Sequence, residues 1–310
     1  MRPLRTVIIG FGKIAEDQHV PAIHGNPRFA LAGSVSRQGN GPPPNFLSHQ
    51  ELLDQMEDVE AVAITTPPGP RYAIARDCIE RGLHCLLEKP PTVTLGEIEE
   101  LRRLAEAKEV TLFTTWHAQN NPAVTAAAAL LEDKRIASMR ITWHESVHKW
   151  HPGQQWIWEA GGFGVFDPGI NAFSIATRIL PGALFVREAE LSFPENSQTP
   201  IAAEIVLESP AAHGPLACSL DWRKEEGEEW TIAIRTADGD DVRLESGGSR
   251  LIVNGVEEAA EGPGEYPDLY RQFADLIDCR RSRVDVEPLR LVADCFLVGR
   301  RTQAEVVTDF

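Results

Sequence analysis

Basic residues are in short supply in this chain: thirty Lys and Arg stand against forty-six Asp and Glu, a formal charge of −16 over 310 residues. A nucleic acid or an anionic membrane surface would have to be attracted against that field, so a small or neutral partner is expected. The five cysteines, Cys78, Cys85, Cys218, Cys279 and Cys295, are scattered with no C-x-x-C and no metal-ligand spacing, which suggests neither a disulfide framework nor a metal site. Long apolar runs are missing too. No stretch approaches the ~18 residues of a membrane span, and Met1-Arg2-Pro3-Leu4-Arg5 runs into Val7-Ile8-Ile9 without a signal-peptide core. A soluble, cytoplasmic protein with reduced thiols is the expectation. Repeats, low-complexity tracts and disordered linkers are likewise absent.

What is present is a globular composition, 43% hydrophobic and 25% charged, in a chain long enough for two domains. Short β-branched runs alternate with longer helical ones. Thr6 to Ile9, Phe29 to Ser36, Ala61 to Thr65, His84 to Glu88 and Val110 to Thr115 read as strands, with helices over Ile14 to His24, Arg71 to Arg81 and Leu95 to Lys108. Thr94 with Glu97 is a capping box for the last of these helices. The alternation predicts a doubly wound parallel sheet over residues 1–120.

Beyond residue 120 the pattern changes. After a helix from Pro122 to Leu131, apolar-polar alternation marks strands over Ala137 to Glu145, Val186 to Phe193, Ala202 to Leu207, Leu216 to Trp222, Trp230 to Arg235, Val242 to Leu244 and Leu251 to Val253. Asp238-Gly239 and Asn254-Gly255 are hairpin dipeptides. Helices are expected over Asp167 to Ile179, Asp268 to Arg280 and Pro288 to Arg301. Residues 121–310 thus predict an α+β domain with a large, mostly antiparallel open sheet, whose closing helices are free to pack on the first domain. One face of such a sheet needs cover, which suggests a homodimer or homotetramer.

Gly10-Phe11-Gly12-Lys13-Ile14-Ala15 follows the first strand and opens the first helix, the setting a dinucleotide fingerprint requires. Gly10 permits the turn, Gly12 lets a pyrophosphate approach the backbone, and Ala15 allows close helix packing. Lys13 and Ile14 follow as cofactor contacts, with Thr65, Thr66 and Pro67 after the Ala61 to Thr65 strand. The second strand ends Val35-Ser36-Arg37, where an NAD-specific site would offer a carboxylate. Arg37 suits a 2′-phosphate and Ser36 does not repel NAD, so NADP is favoured with NAD possible. A plain surface arginine fits the same residue.

Glu88-Lys89-Pro90 places a charged pair directly after the apolar His84-Cys85-Leu86-Leu87, at the strand end where open parallel sheets bind ligands. Taken alone, the triplet also reads as a solvated loop lysine. In the second half, Gly161-Gly162-Phe163-Gly164 precedes Asp167-Pro168 and Asn171. Asp167 as N-cap with Pro168 at N1 is a complete structural explanation. The i,i+4 spacing also puts Asp167 and Asn171 on one helix face, a proton acceptor beside an amide, and the glycines leave room for a ligand near the backbone. Four of the seven tryptophans fall between Trp143 and Trp158. Interleaved with Glu145, His148 and His151, rings such as Trp150 and Trp156 suit a sugar face, although any of these residues fits a core role as well.

With Gly10-x-Gly12-x-x-Ala15, Glu88-Lys89-Pro90 and Asp167-x-x-x-Asn171, the chain resembles the Gfo/Idh/MocA oxidoreductases over essentially its whole length. Within them, Ser36-Arg37, Trp116-His117 and His148 to Leu180 look like the aldose 1-dehydrogenases acting on L-arabinose and D-galactose. The resemblance implies oxidation of the sugar C1 hydroxyl to a lactone with hydride transfer to NAD(P). By position, Lys89 would orient the hydroxyl, Asp167 and Asn171 would handle its proton, and His117, Glu145 and His151 would be sugar contacts. Two departures stand out. Asn171 replaces a histidine of many members and cannot act as a base, which moves that burden to Asp167. Arg71-Tyr72 stands where many members have a histidine facing the cofactor. The pocket offers Glu145 and Asp167 and no arginine cluster, which favours a free sugar over a phosphorylated one. A sister activity on another sugar or inositol hydroxyl, and a non-catalytic dinucleotide and sugar sensor, are the alternatives.

Overall fold

The structure, a computed structural model, describes residues 2–308. The chain forms two compact units: one contains the segment up to His117 together with Pro263–Val286, the other Ala118–Gly262 and the segment from Glu287 onward.

In the first unit, β1 (Leu4–Ile9), β2 (Phe29–Val35), β3 (Asn45–Phe46), β4 (Ala61–Ile64), β5 (His84–Leu87) and β6 (Leu112–Thr114) pair in parallel in the order β3-β2-β1-β4-β5-β6. That order reverses direction at β1 and β4, the switch point where dinucleotides bind in doubly wound folds. Helix α1 spans residues 13–24 and is π-helical over Ala15–His19. Helices α2 (His49–Gln55), α3 (Pro68–Glu80) and α4 (Leu95–Ala107) follow. Thr94 and Glu97 form the capping box that opens α4. The pair β3 and α2 is too short and too polar to stand out by periodicity in the sequence.

The second unit opens with α5 (Pro122–Leu131), followed by β7 (Ile136–His144), α6 (Val147–Trp150), α7 (Phe166–Ile179), β8 (Phe185–Pro194), β9 (Ala202–Glu208), β10 (Leu216–Asp221), β11 (Glu229–Thr236), β12 (Asp241–Glu245), β13 (Arg250–Val253) and β14 (Val256–Glu258). After these come α8 (Glu265–Asp278), α9 (Glu287–Val298) and β15 (Arg300–Ala304). The nine-stranded sheet runs β14-β13-β12-β11-β7-β10-β9-β8-β15. The expected antiparallel pairing holds for most neighbours, but β7 with β10 and β8 with β15 are parallel. Strand β15 escaped the sequence reading because Arg300-Arg301-Thr302-Gln303-Ala304 has no apolar alternation; the expected helix to Arg301 stops at Val298. Asn254 and Gly255 both have positive φ, 52° and 82°, and close the β13–β14 hairpin.

Helix α8 belongs to the first unit. Its Tyr266, Leu269, Tyr270 and Phe273 recur at helical spacing and pack with Ile8, Ala15, Phe29 and Phe113 in one core. A continuous assignment of residues 121–310 to one domain therefore does not describe this helix, which the sequence leaves free to pack on either unit. In the second unit, α5, α7 and α9 cover the sheet. Among the described residues no helix is long and apolar enough to cross a membrane.

Candidate functional site

At the carboxyl end of β1, Gly10 turns with φ +98°, and a Cβ there would lie 2.7 Å from the Thr66 backbone nitrogen, so only glycine fits. Thr65 Oγ1 donates to the Gly10 carbonyl, which fastens the loop after β4 to the glycine turn. Gly12 faces open space, and Thr66 Oγ1 is buried with no partner among the described residues. An open cradle beside an unused hydroxyl fits a bound dinucleotide. Pro67 precedes α3, Lys13 is exposed and paired with Asp17, and Ile14 is exposed. Ser36 is buried, its hydroxyl donating to Asn40 Oδ1 and accepting the Gln38 N–H, while Arg37 is exposed in the following turn. The carboxylate that would select the NAD ribose is missing from this strand end, as the sequence indicates.

Glu88 is 4% exposed at the end of β5. Its Oε1 accepts from Tyr266 Oη at 2.8 Å and lies 3.1 Å from His19 Nε2, and its Oε2 accepts the Lys89 N–H at 2.8 Å. Burial would push this carboxyl up, but the His19 hydrogen bond, the His19 and His117 charges and the Tyr266 hydroxyl together bring it down to about 2. Glu88 is thus a structural anion, fixing the backbone from which half-buried Lys89 projects. The Lys89-Pro90 peptide is cis. His19 Nδ1 in turn meets Tyr270 Oη at 2.8 Å.

His117 follows β6 in the same unit. It stacks on Tyr266 with centroids 5.6 Å apart, and its Nδ1 lies 2.8 Å from Glu265 Oε2. Burial pulls the imidazole down, but the Glu265 hydrogen bond and charge, helped by Glu88, outweigh both burial and the opposing Lys89, so its pKa is raised above 6.5.

In the second unit, α7 begins at Phe166, with Val165 at the cap position and no side-chain cap bond. This corrects the reading of Asp167 as N-cap with Pro168 at N1. Asp167 sits inside the first turn, its N–H bonded to the Gly164 carbonyl at 2.9 Å, so its carboxylate is not the cap. Its Oδ2 lies 3.5 Å from His151 Nε2, and both side chains are largely buried. Asn171, one turn on, is half-buried, and its side-chain amide has no partner among the described residues. Two of the glycines before Asp167 make room for the protein rather than for a ligand: a Cβ on Gly162 would lie 2.6 Å from the Ile157 carbonyl, and one on Gly164 would strike the Pro200 carbonyl.

Glu145, 3% exposed after β7, accepts from two indoles, Trp230 Nε1 at 2.8 Å and Trp222 Nε1 at 3.3 Å. A buried carboxylate needs such donors. Trp222 also contacts His151, centroids 5.1 Å apart, so Glu145, His151 and Asp167 form one connected group. Trp150 is 43% exposed and rests on Trp230 at 5.5 Å, whereas Trp156 gives its N–H to Gln154. His148, His151, Trp158 and Glu225 line a cavity of about 530 Å³ in this unit, within the size range of small-molecule sites.

Sequence reasoning missed His19, Glu265, Tyr266, Tyr270, Trp222 and Trp230. The i,i+4 spacing of Tyr266 and Tyr270 was a usable signal of one helix face. Nothing local connects residue 19 with residues 88 and 270.

The Gfo/Idh/MocA model, described as an oxidoreductase family with an NAD-binding Rossmann fold, matches residues 4–116. A galactose 1-dehydrogenase of Pseudomonas fluorescens is 45% identical over the full length of both chains. The crystal structure of a D-galactose-1-dehydrogenase from Rhizobium etli, 42% identical, superposes with a TM-score of 0.93 over 99% of each chain. A 3-ketoreductase from Actinomadura kijaniata, solved with NADP, shares the fold at 18% identity, with a TM-score of 0.81 over 97% of this chain and 99% of that one. With a full-length relative at that identity, on a Rossmann unit that carries the glycine turn and the Glu88-Lys89-Pro90 strand end, this chain belongs to the Gfo/Idh/MocA family of oxidoreductases.

Proposed function

We propose that the protein is an NAD(P)-dependent aldose 1-dehydrogenase that oxidises the C1 hydroxyl of a free sugar of the D-galactose or L-arabinose type to the lactone, with NADP the favoured acceptor. The observation that carries this reading is the connected group of Asp167, His151 and Glu145, with the Asn171 amide one turn from Asp167: a proton acceptor, hydrogen-bonding groups and indole faces together. The galactose 1-dehydrogenase relative supports the choice of sugar.

A nicotinamide dinucleotide, held at the Gly10 and Gly12 turn beside Thr66, would supply a hydride acceptor at C4. Asp167 takes the O1 proton, directly or through a water, and His151 at its edge limits where that proton can go. Asn171 donates or accepts a hydrogen bond without exchanging a proton. Lys89 orients the reacting hydroxyl and stabilises the charge that develops on its oxygen. His117 and Glu145 hold other hydroxyls as donor and acceptor, and Trp150 offers an exposed ring to a sugar face. Ser36 and Arg37 receive the adenosine ribose, the guanidinium favouring a 2′-phosphate. A homodimer or homotetramer through the sheet face opposite α7 completes the reading, with light scattering as its check.

Aldoses assayed with NAD and with NADP, following reduced cofactor by absorbance, test the proposal. Turnover of D-galactose or L-arabinose to the lactone is expected, with the sugar 1-phosphates inert. Oxidation confined to an inositol or to another hydroxyl would replace this reading with the sister activity.

A further inference from the structure

Arg71 lies in the first turn of α3 and is 2% exposed. One terminal nitrogen of its guanidinium donates to the carbonyls of Glu88 and Pro90, and the other to the carbonyl of Thr66. These carbonyls sit on the loops that leave two adjacent strands, β4 and β5. The planar guanidinium holds its donors in a fixed fork, so one side chain sets the spacing of both loops. Burying a cation is costly, and a purely structural tie between two loops could be apolar. Here the buried cation is placed at the root of one lysine.

On the other side of that loop, the Glu88 carboxylate accepts the Lys89 N–H at 2.8 Å and is itself held by Tyr266 and His19. The Glu88 carbonyl, the Lys89 N–H and the Pro90 carbonyl, which bracket Lys89, are thereby all engaged. We propose that Arg71 is a positioning residue for Lys89. It sets the backbone path through residues 88–90, and with it the direction in which the Lys89 side chain leaves the loop. By gripping Thr66 as well, it ties that direction to the loop fastened to the glycine turn. This rests on the role proposed for Lys89.

The test is a double-mutant cycle of Arg71→Lys and Lys89→Ala, with kcat and KM for the aldose and an equilibrium titration of dinucleotide binding. A point charge cannot reach three carbonyls in one plane, so Arg71→Lys is expected to lower kcat by ~10- to 100-fold, the scale of small misplacements at reacting groups, with dinucleotide affinity changed less than ~3-fold. In the Lys89→Ala background the same substitution should cost less than ~3-fold, because its target is gone. Equal losses in both backgrounds, or a loss matched by dinucleotide affinity, would overturn the proposal. Near-normal turnover of Lys89→Ala alone would instead overturn the role of Lys89 and remove the basis for that of Arg71. If Arg71→Lys does not fold, Arg71→Ala with added guanidinium ion decides: saturable rescue that disappears in the Lys89→Ala background supports the proposal, and folded protein without rescue rejects it.

Discussion

Tyr266, on a helix that returns to the first unit from late in the chain, donates its hydroxyl to Glu88 Oε1 at 2.8 Å. Tyr266→Phe removes a donor from a buried anion and is expected to cost ~1–3 kcal/mol of stability, the usual penalty for such a group, read from denaturant midpoints. The pH dependence has a definite sign. Because the Glu88 carboxyl lies at about 2 in the folded protein against an ordinary value of 4.5, its contribution is complete above 4.5 and is lost as pH falls toward 2. Glu88→Gln should flatten that part of the stability profile; an unchanged profile would show that Glu88 is not the titrating group.

Against the burial that pulls the imidazole down, the hydrogen bond and charge of Glu265 raise the His117 pKa above 6.5. The stability this adds is present below 6.5 and is lost as pH rises through the higher folded value. Glu265→Gln should lower the His117 pKa, measured by NMR of the imidazole carbons, and should raise KM for the sugar more at alkaline than at acidic pH. A titration of His117 identical in both proteins would sink this assignment.

Asp167 and Lys89 are the residues whose loss should abolish chemistry. Asp167→Asn and Lys89→Ala are each expected to lower kcat by two or more orders of magnitude, the scale of acid-base groups, with the melting temperature nearly kept. Either variant turning over at close to the normal rate would remove the role given to that residue.

Arg37 is exposed in the turn after β2, so its substitution should leave the fold intact. Arg37→Ala is expected to raise KM for NADP ~10-fold or more, the worth of one charge-assisted phosphate contact, with KM for NAD little changed. An equal effect on both cofactors would argue that Arg37 does not meet a 2′-phosphate.

Much of this protein was determined by its sequence alone, because the features concerned are local. The βαβ alternation, the Thr94–Glu97 capping box, the Asn254-Gly255 hairpin and the glycine turn at Gly10 each follow from periodicity or φ requirements within a few residues. The strand end at Glu88-Lys89-Pro90 was legible for the same reason. Tertiary structure decided what those residues contact. Asp167 reads as a helix cap from its neighbours, and only the backbone path through Gly164 and Val165 puts it inside the helix with His151 beside it. The Gly162 and Gly164 positions read as ligand space until the carbonyls that fill them are seen. Glu88 reads from its place at the strand end as a cofactor contact, and only the fold shows it buried against His19 and Tyr266 as a fixed anion, with Arg71, an unexplained departure in the sequence, as the clamp on its loop. Partners 69 and 178 residues away leave no periodic trace in a sequence, because burial and hydrogen-bond satisfaction are set by where distant elements pack.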